Sequence, residues 1–239
     1  MFPYTISFLQ QLLPNDYAER LQWAQHCNRE LRIDSQYFSR IVFSDECLFH
    51  ANGVVNNHNA RIWGTSNPQT VQEVPLQREK VMVWCAMHKT KIIGPYFFRT
   101  PTVNTQAYKS MLSSYGLRHV AQLPGSPIFQ EDGAPAHTSN ATSEYLQRKL
   151  GNRWISKRGP TNWPARSPDL TPLDFFLWGY VKDKVYSEEI ESLQHLKARI
   201  TEAIRNIDTS TLSNVWKNIE TRINCVVRQQ GKHIEQMTF

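Results

Sequence analysis

Apolar positions along this chain follow two rhythms, and the switches between them predict an α/β protein. Residues 5–33 carry helical spacing, with Ala18, Leu21, Trp23, Ala24 and Cys27 on one face. Asn15 or Asp16 is placed to cap a helix starting near Tyr17. From Phe38 the rhythm becomes that of strands. Residues 38–52 and 60–63 predict the opening pair, joined by a polar, Asn-rich turn from Gly53 to Asn59. KVMVWCAMH (80–88) and KIIGPYFFR (91–99) predict a second pair, with Gly94-Pro95 confining the latter strand to a sheet edge or a bulge. Asn104 is placed to cap a helix running to Leu117; residues 127–132 predict a strand, 138–150 a helix and 154–157 a short strand. The last third predicts helices near 172–186, 192–207 and 210–229. Strands interleaved with helices, then a helical tail, give a sheet flanked by helices.

Two of the predicted strands end in acid doublets. RIVFS leads into Asp45-Glu46, and PIFQ leads into Glu131-Asp132 and a Gly-Ala-Pro turn. Neighbouring side chains in a strand point to opposite faces, so neither doublet can turn both acids toward one site. If the two strands pair, Asp45 and Asp132 can share a face, which leaves Glu46 and Glu131 on the other. A third acid follows in SPDLTPLD, where Thr171 is placed as N-cap, Pro172 as first helical residue and Asp174 as third. Two carboxylates at strand ends and one in the first turn of a helix suit a divalent-metal site. The plainer reading of Asp174 is a capping box with Thr171. Asp169, between Pro168 and Leu170, reads as a turn former bonded to backbone amides. Phe175, Phe176, Trp178 and Tyr180 span both sides of their helix, which favours core packing over base stacking.

Charge adds a partner class. The formal net charge of +6 is compatible with nucleic acid, although many proteins are equally basic. Its patterning says more. Between Tyr145 and Pro168 stand Arg148, Lys149, Arg153, Lys157, Arg158 and Arg166 with no acid among them, between two of the candidate aspartates, where a DNA backbone would pass. The alternative is a solvated helix and loop face. His137, five positions past Asp132, is either a helix-entry residue or a side chain that faces the site and contacts a phosphate. Cys27, Cys47, Cys85 and Cys225 form no C-x-x-C, so neither a disulfide framework nor a zinc site is predicted. The start lacks the basic region and sustained apolar core of a signal peptide, and no apolar run is of membrane-spanning length. These features predict a soluble, intracellular chain with no membrane or small-molecule partner.

FSDE, QEDGAPAH and SPDLTPLDFFLWG, in this order, resemble the catalytic-domain motifs of Tc1/mariner-superfamily transposases, more narrowly the mariner-like members whose third acid is Asp. LLPNDYAERLQWAQHC, RIWGTSNP and EKVMVWCAM extend the resemblance over nearly the whole chain. Each motif alone is weak; three in order within a matching framework are specific. The resemblance implies a ribonuclease-H-like fold. It also implies a metal-binding catalytic triad on Asp45, Asp132 and Asp174, two Mg²⁺ or Mn²⁺ ions per site, and cleavage and strand transfer on double-stranded transposon-end and target DNA. A nuclear location follows, and a homodimer is allowed. The 41 residues between Asp132 and Asp174 are at the long end for the family, and Glu131 stands where relatives often carry an uncharged polar residue. On this reading residues 1–36 are a helical linker remnant and 37–239 the catalytic domain, with no helix-turn-helix DNA-binding domain before them, as in a truncated copy. The rival expectation is a non-catalytic DNA-binding or interaction protein on a transposase core. Integrase-like and ribonuclease H enzymes fit SPDLTPLD poorly.

Overall fold

The structure, a computed structural model, describes residues 11–51 and 79–235. The strand expected at 60–63, the turn at 53–59 and the first residues of the expected N-terminal helix lie outside that range.

Helix α1 spans Pro14–Ile33 and begins three residues earlier than Tyr17. Asp16 is its third residue rather than a residue before it, and its carboxylate accepts from the Leu13 backbone N–H at 2.6 Å. Proline at the first position costs nothing there, because that N–H would have no helical acceptor. A short helix α2 (Tyr37–Arg40) occupies the start of the expected first strand, and β1 follows as Ile41–His50. β2 (Lys80–His88) pairs antiparallel with β1, and β3 (Lys91–Phe97) antiparallel with β2. β4 (Ile128–Gln130) runs parallel to β1, and β5 (Trp154–Ile155) parallel to β4. The order is β3-β2-β1-β4-β5, a mixed five-stranded sheet among the described residues. β3 is an edge strand and the pairing slips between Trp84 and Ala86, the two outcomes that Gly94-Pro95 predicts.

Each face of the sheet has its own apolar layer. On one, Val42, Trp84, Ala86 and Phe129 pack with Tyr108 and Met111 of α3 (Thr105–Met111) and Leu146 of α5 (Asn140–Leu150). Asn104 caps α3 through its side chain, and Ser139 caps α5. α3 runs on through a π-helical turn (Leu112–Gly116) into α4 (Leu117–Val120). On the other face, Ile41, Phe43, Cys47, Phe49 and Cys85 pack with α1 and three C-terminal helices: α6 (Trp178–Val185), α7 (Leu193–Arg205) and α8 (Thr209–Arg228). α1 adds Trp23, Ala24 and Cys27 to this layer, with Trp23 edge-on to Trp163 at 5.1 Å. The four cysteines are buried and free. No helix among the described residues is long and apolar enough to cross a membrane.

Candidate active site

β1 and β4 lie side by side in parallel, and their register ends with Phe43 opposite Gln130. Two residues further on stand Asp45 and Asp132, level with each other and on the same side of the pleat. The Ser44 hydroxyl donates to the Gln130 carbonyl at 2.7 Å and ties the two strands where they begin to part. Both aspartates open into a cavity of about 490 Å³. Its wall is completed by Glu46, by Gly133 and Ala134, by Lys157, by the loop from Trp163 to Pro168, and by Thr171 and Asp174.

Asp174 reaches the cavity from a helix with an unusual first turn. Residues Leu173–Leu177 are π-helical and lead into α6. The Thr171 carbonyl accepts from the Asp174 and Phe175 backbone N–H groups, so the chain enters the helix where the sequence indicates. The Thr171 hydroxyl does not cap it: it donates back to the Ser167 carbonyl at 3.4 Å. The turn sets Trp178 against the sheet, where its indole N–H donates to Asp45 Oδ2 at 2.7 Å. One helix thus carries Asp174 and holds Asp45. π-Turns of this kind recur at functional sites.

The electrostatics of the three aspartates differ. Burial, and then the charges of Asp174 and Glu46, push the Asp45 carboxyl well above the usual range against the lowering effect of the Trp178 N–H. Withdrawal from solvent and the charge of Asp132 push Asp174 up to about 7, opposed by Lys182. Burial alone would raise Asp132 too, but the hydrogen bond and charge of His137 hold it below its usual value. Crowded carboxylates that resist ionisation are what a cation would relieve.

Glu131 falls on the opposite face, as the alternation of a strand requires. Glu46, however, also reaches the cavity wall beside Asp45, which corrects the expectation that both glutamates turn away from the site. Glu131 is fully buried, accepts from the Tyr108 hydroxyl at 2.8 Å, and is pushed up to about 7 by burial, with His137 and Tyr108 opposing. His137 lies between the two sets. Its Nδ1 is 2.6 Å from Asp132 Oδ1 and its Nε2 3.3 Å from Glu46 Oε1. Burial would lower its pKa; Glu46 and Asp132 outweigh burial and hold it well above the usual value. His137 is 2% exposed, and both ring nitrogens face carboxylates of the protein.

The basic run divides. Arg148, Lys149, Arg153, Lys157 and Arg158 are exposed, and Lys157 lies at the cavity beside Gly133. Arg158 donates to the Asn140 side chain, Arg153 lies near the Pro127 carbonyl, and the Arg148 guanidinium lies over the Tyr145 ring. Arg166 lines the cavity too, but forms a two-pronged ion pair with Asp16 of α1. Asp169 corrects another expectation. It is no turn former bonded to amides but the buried partner of Arg20, at 2.7 and 2.5 Å. Arg20 also donates to Ser167 Oγ and to the Gly231 carbonyl, joining α1, the cavity loop and the C-terminal segment. Gly231 sits in the left-handed region (φ +83°), and a Cβ there would collide with the Tyr17 carbonyl.

No family model matches the chain. The Tc3 transposase of Caenorhabditis elegans is 30% identical over 202 residues, which cover 82% of this chain and 58% of that protein. The Tcb1 transposase of Caenorhabditis briggsae is 22% identical over 216 residues, covering 89% of this chain and 75% of the relative. Its homologues are Tc1/mariner-family transposases. Among solved structures, a Mos1 transposase paired-end complex with the left transposon end superposes at a TM-score of 0.79 and 20% identity, over 98% of this chain and 68% of that one. The Mos1 mariner catalytic domain gives 0.73 at 19% identity, over 96% of this chain and all of that domain. At such identities the likeness speaks for the fold: the ribonuclease-H-like fold of the Mos1 catalytic domain.

Among the described residues, no three His, Cys, Asp or Glu side chains converge as a closed metal cage would require. An open site for a hard divalent cation does not need one. Mg²⁺ takes one or two carboxylates per ion and completes its shell with water and substrate phosphate. Asp45, Asp132 and Asp174 are an all-oxygen set on one cavity, which fits that chemistry. Sequence reasoning missed Trp178 and Arg20, whose partners lie 133 and 149 residues away in the chain.

Proposed function

We propose that this chain is the catalytic core of a mariner-like transposase, cutting and joining double-stranded DNA at the cavity between β1, β4 and the Asp174 helix. The observation that carries the reading is the delivery of Asp45, Asp132 and Asp174 to one cavity from three separate elements. Mos1 catalytic-domain structures contain Mn or Mg, and Mos1 complexes contain transposon ends, which supports divalent metal and DNA as the partners here. Two such ions, when bound, would activate the attacking oxygen and stabilise charge on the in-line phosphate. Asp45 would be the shared ligand, with Asp132 and Asp174 completing one ion each. Lys157 and the exposed Arg148, Lys149, Arg153 and Arg158 would take the phosphate backbone, fixing position without reading sequence. Arg166 serves α1 instead, and α1 counts as part of the core. Action on DNA implies a nuclear location, and the paired-end assemblies of Mos1 make a dimer the working assembly.

The test is nicking of supercoiled plasmid by the purified chain with Mg²⁺ or Mn²⁺. Cleavage that needs the metal and disappears in Asp132→Asn is expected. A folded chain that binds DNA yet never cuts it with either metal would favour a non-catalytic DNA-binding role.

A further inference from the structure

Asp132 stands two residues beyond the last paired residue of β4, where no sheet hydrogen bond fixes it. A carboxylate that must orient a cation cannot be left to a loop, because a site loosened by an ångström loses its function. Here the support comes from behind. Asp132 Oδ1 receives both the Ala134 backbone N–H at 2.9 Å and His137 Nδ1 at 2.6 Å. Among the described residues neither bond falls on Oδ2.

The imidazole is itself held on three sides. Its Nε2 meets Glu46 at 3.3 Å, and its ring lies 4.1 Å from that of Tyr108 at an angle of 34°. Tyr108 is in turn fixed by its hydrogen bond to Glu131. Glu46 directly follows Asp45 in β1, and Glu131 directly precedes Asp132. The ring is therefore referenced to the same two strand ends that carry the aspartates.

We propose that His137 is a positioning residue for Asp132, clamping one carboxylate oxygen so that the other is presented to a divalent cation in the cavity. This rests on the metal reading given above. A residue in this relation to a metal ligand contributes 10–100-fold to metal affinity. A purely structural role would lower stability and leave the metal dependence alone, so the two are separable.

The experiment titrates Mn²⁺ into the full chain by calorimetry and measures the metal half-saturation of plasmid nicking. The proteins compared are wild type, Asp132→Asn, His137→Phe and His137→Gln, each checked by near-ultraviolet circular dichroism. Phe keeps a flat ring against Tyr108 without donors; Gln restores a donor. The expected result is wild-type binding, a roughly 10–100-fold weaker midpoint in His137→Phe with the maximal rate recovered at high metal, and partial rescue in His137→Gln. If Phe does not fold, Gln decides, with a midpoint raised several-fold expected and an unchanged one overturning the proposal. Wild-type binding with an unshifted midpoint in folded His137→Phe also overturns it. Failure of the wild type to bind Mn²⁺, with Asp132→Asn no different, would instead remove the metal reading and this inference with it.

Discussion

Asp169 and Asp174 lie five residues apart in one loop-to-helix segment, and what separates them is a cation. Asp169 is buried against the Arg20 guanidinium, with Ser167, Gly231 and Lys232 taking up the remaining donors. Asp174 lies at the cavity, where partial withdrawal from solvent and the charge of Asp132 push it up to about 7. One carboxylate is complete in the fold; the other has no arginine of its own. A carboxylate in a poor electrostatic position at a cavity is a candidate to bind something the fold alone does not contain. The cluster around Arg20 has the opposite character, since every member is answered within the protein.

Exchanging the two acids for amides sharpens this contrast most. Asp174→Asn should lower plasmid nicking by about 10³-fold or more, the loss of several kcal/mol of charge stabilisation in the transition state. Its melting temperature without metal should not fall, because the amide removes repulsion with Asp132. Asp169→Asn should do the reverse, leaving chemistry per folded molecule intact while stability falls. An active Asp174→Asn beside an inactive but stably folded Asp169→Asn would undo the comparison.

The size of the stability effect is better read from Arg20. Arg20→Met leaves a buried carboxylate without its charge partner, which costs about 3–5 kcal/mol. For a chain of this length that corresponds to a fall of roughly 10 °C in melting temperature. The double variant Arg20→Met, Asp169→Leu should recover part of the loss, because a buried pair can be replaced by apolar groups more cheaply than it can be halved. Equal losses in the single and double variants would show that the pair does not act as a unit.

Trp178→Phe tests the cavity side more gently. The ring still packs against the sheet, but Asp45 loses the N–H on Oδ2. A midpoint for Mg²⁺-dependent nicking raised about tenfold is expected, the low end for a residue that orients a metal ligand. An unshifted midpoint would mean that the sheet alone directs Asp45.

How much of this was legible beforehand follows from where each interaction lies in the chain. β2, the edge position of β3 and helices α5, α7 and α8 carry their period and caps locally, and they appear within a few residues of the expected bounds. The shared side of Asp45 and Asp132 and the burial of Glu131 behind them were legible too, since a two-residue period needs only the pairing of the strands; the reach of Glu46 to the cavity wall was not. The start of α1 was not, because Asp16 acts backward on Leu13 from inside the helix instead of capping from outside it. The bond of His137 to Glu46 was not legible, because Glu46 is 91 residues away. The π-turn at Leu173–Leu177 leads into Trp178, whose bond to Asp45 likewise lies beyond the reach of the local sequence.

The smallest effect concerns the second ion pair that ties α1 to the cavity loop, and it is read through pH. The Arg166 hydrogen bond is the main cause holding the Asp16 carboxyl below its usual value of 3.8; burial opposes it and the Leu13 N–H assists. A carboxyl with a lowered folded pKa gives stability that is complete above the usual value and is lost as pH falls through the lowered one. Arg166 keeps contact with solvent, so the pair contributes less than the buried Arg20–Asp169 pair. Melting curves of wild type and Asp16→Asn from pH 6 down to pH 2 are the measurement. The wild type should melt higher by a constant margin down to about pH 4, after which the two curves converge. A margin that persists undiminished to the lowest pH would mean that Asp16 acts through its shape and backbone bond to Leu13, and that the tie between α1 and the cavity loop is not ionic.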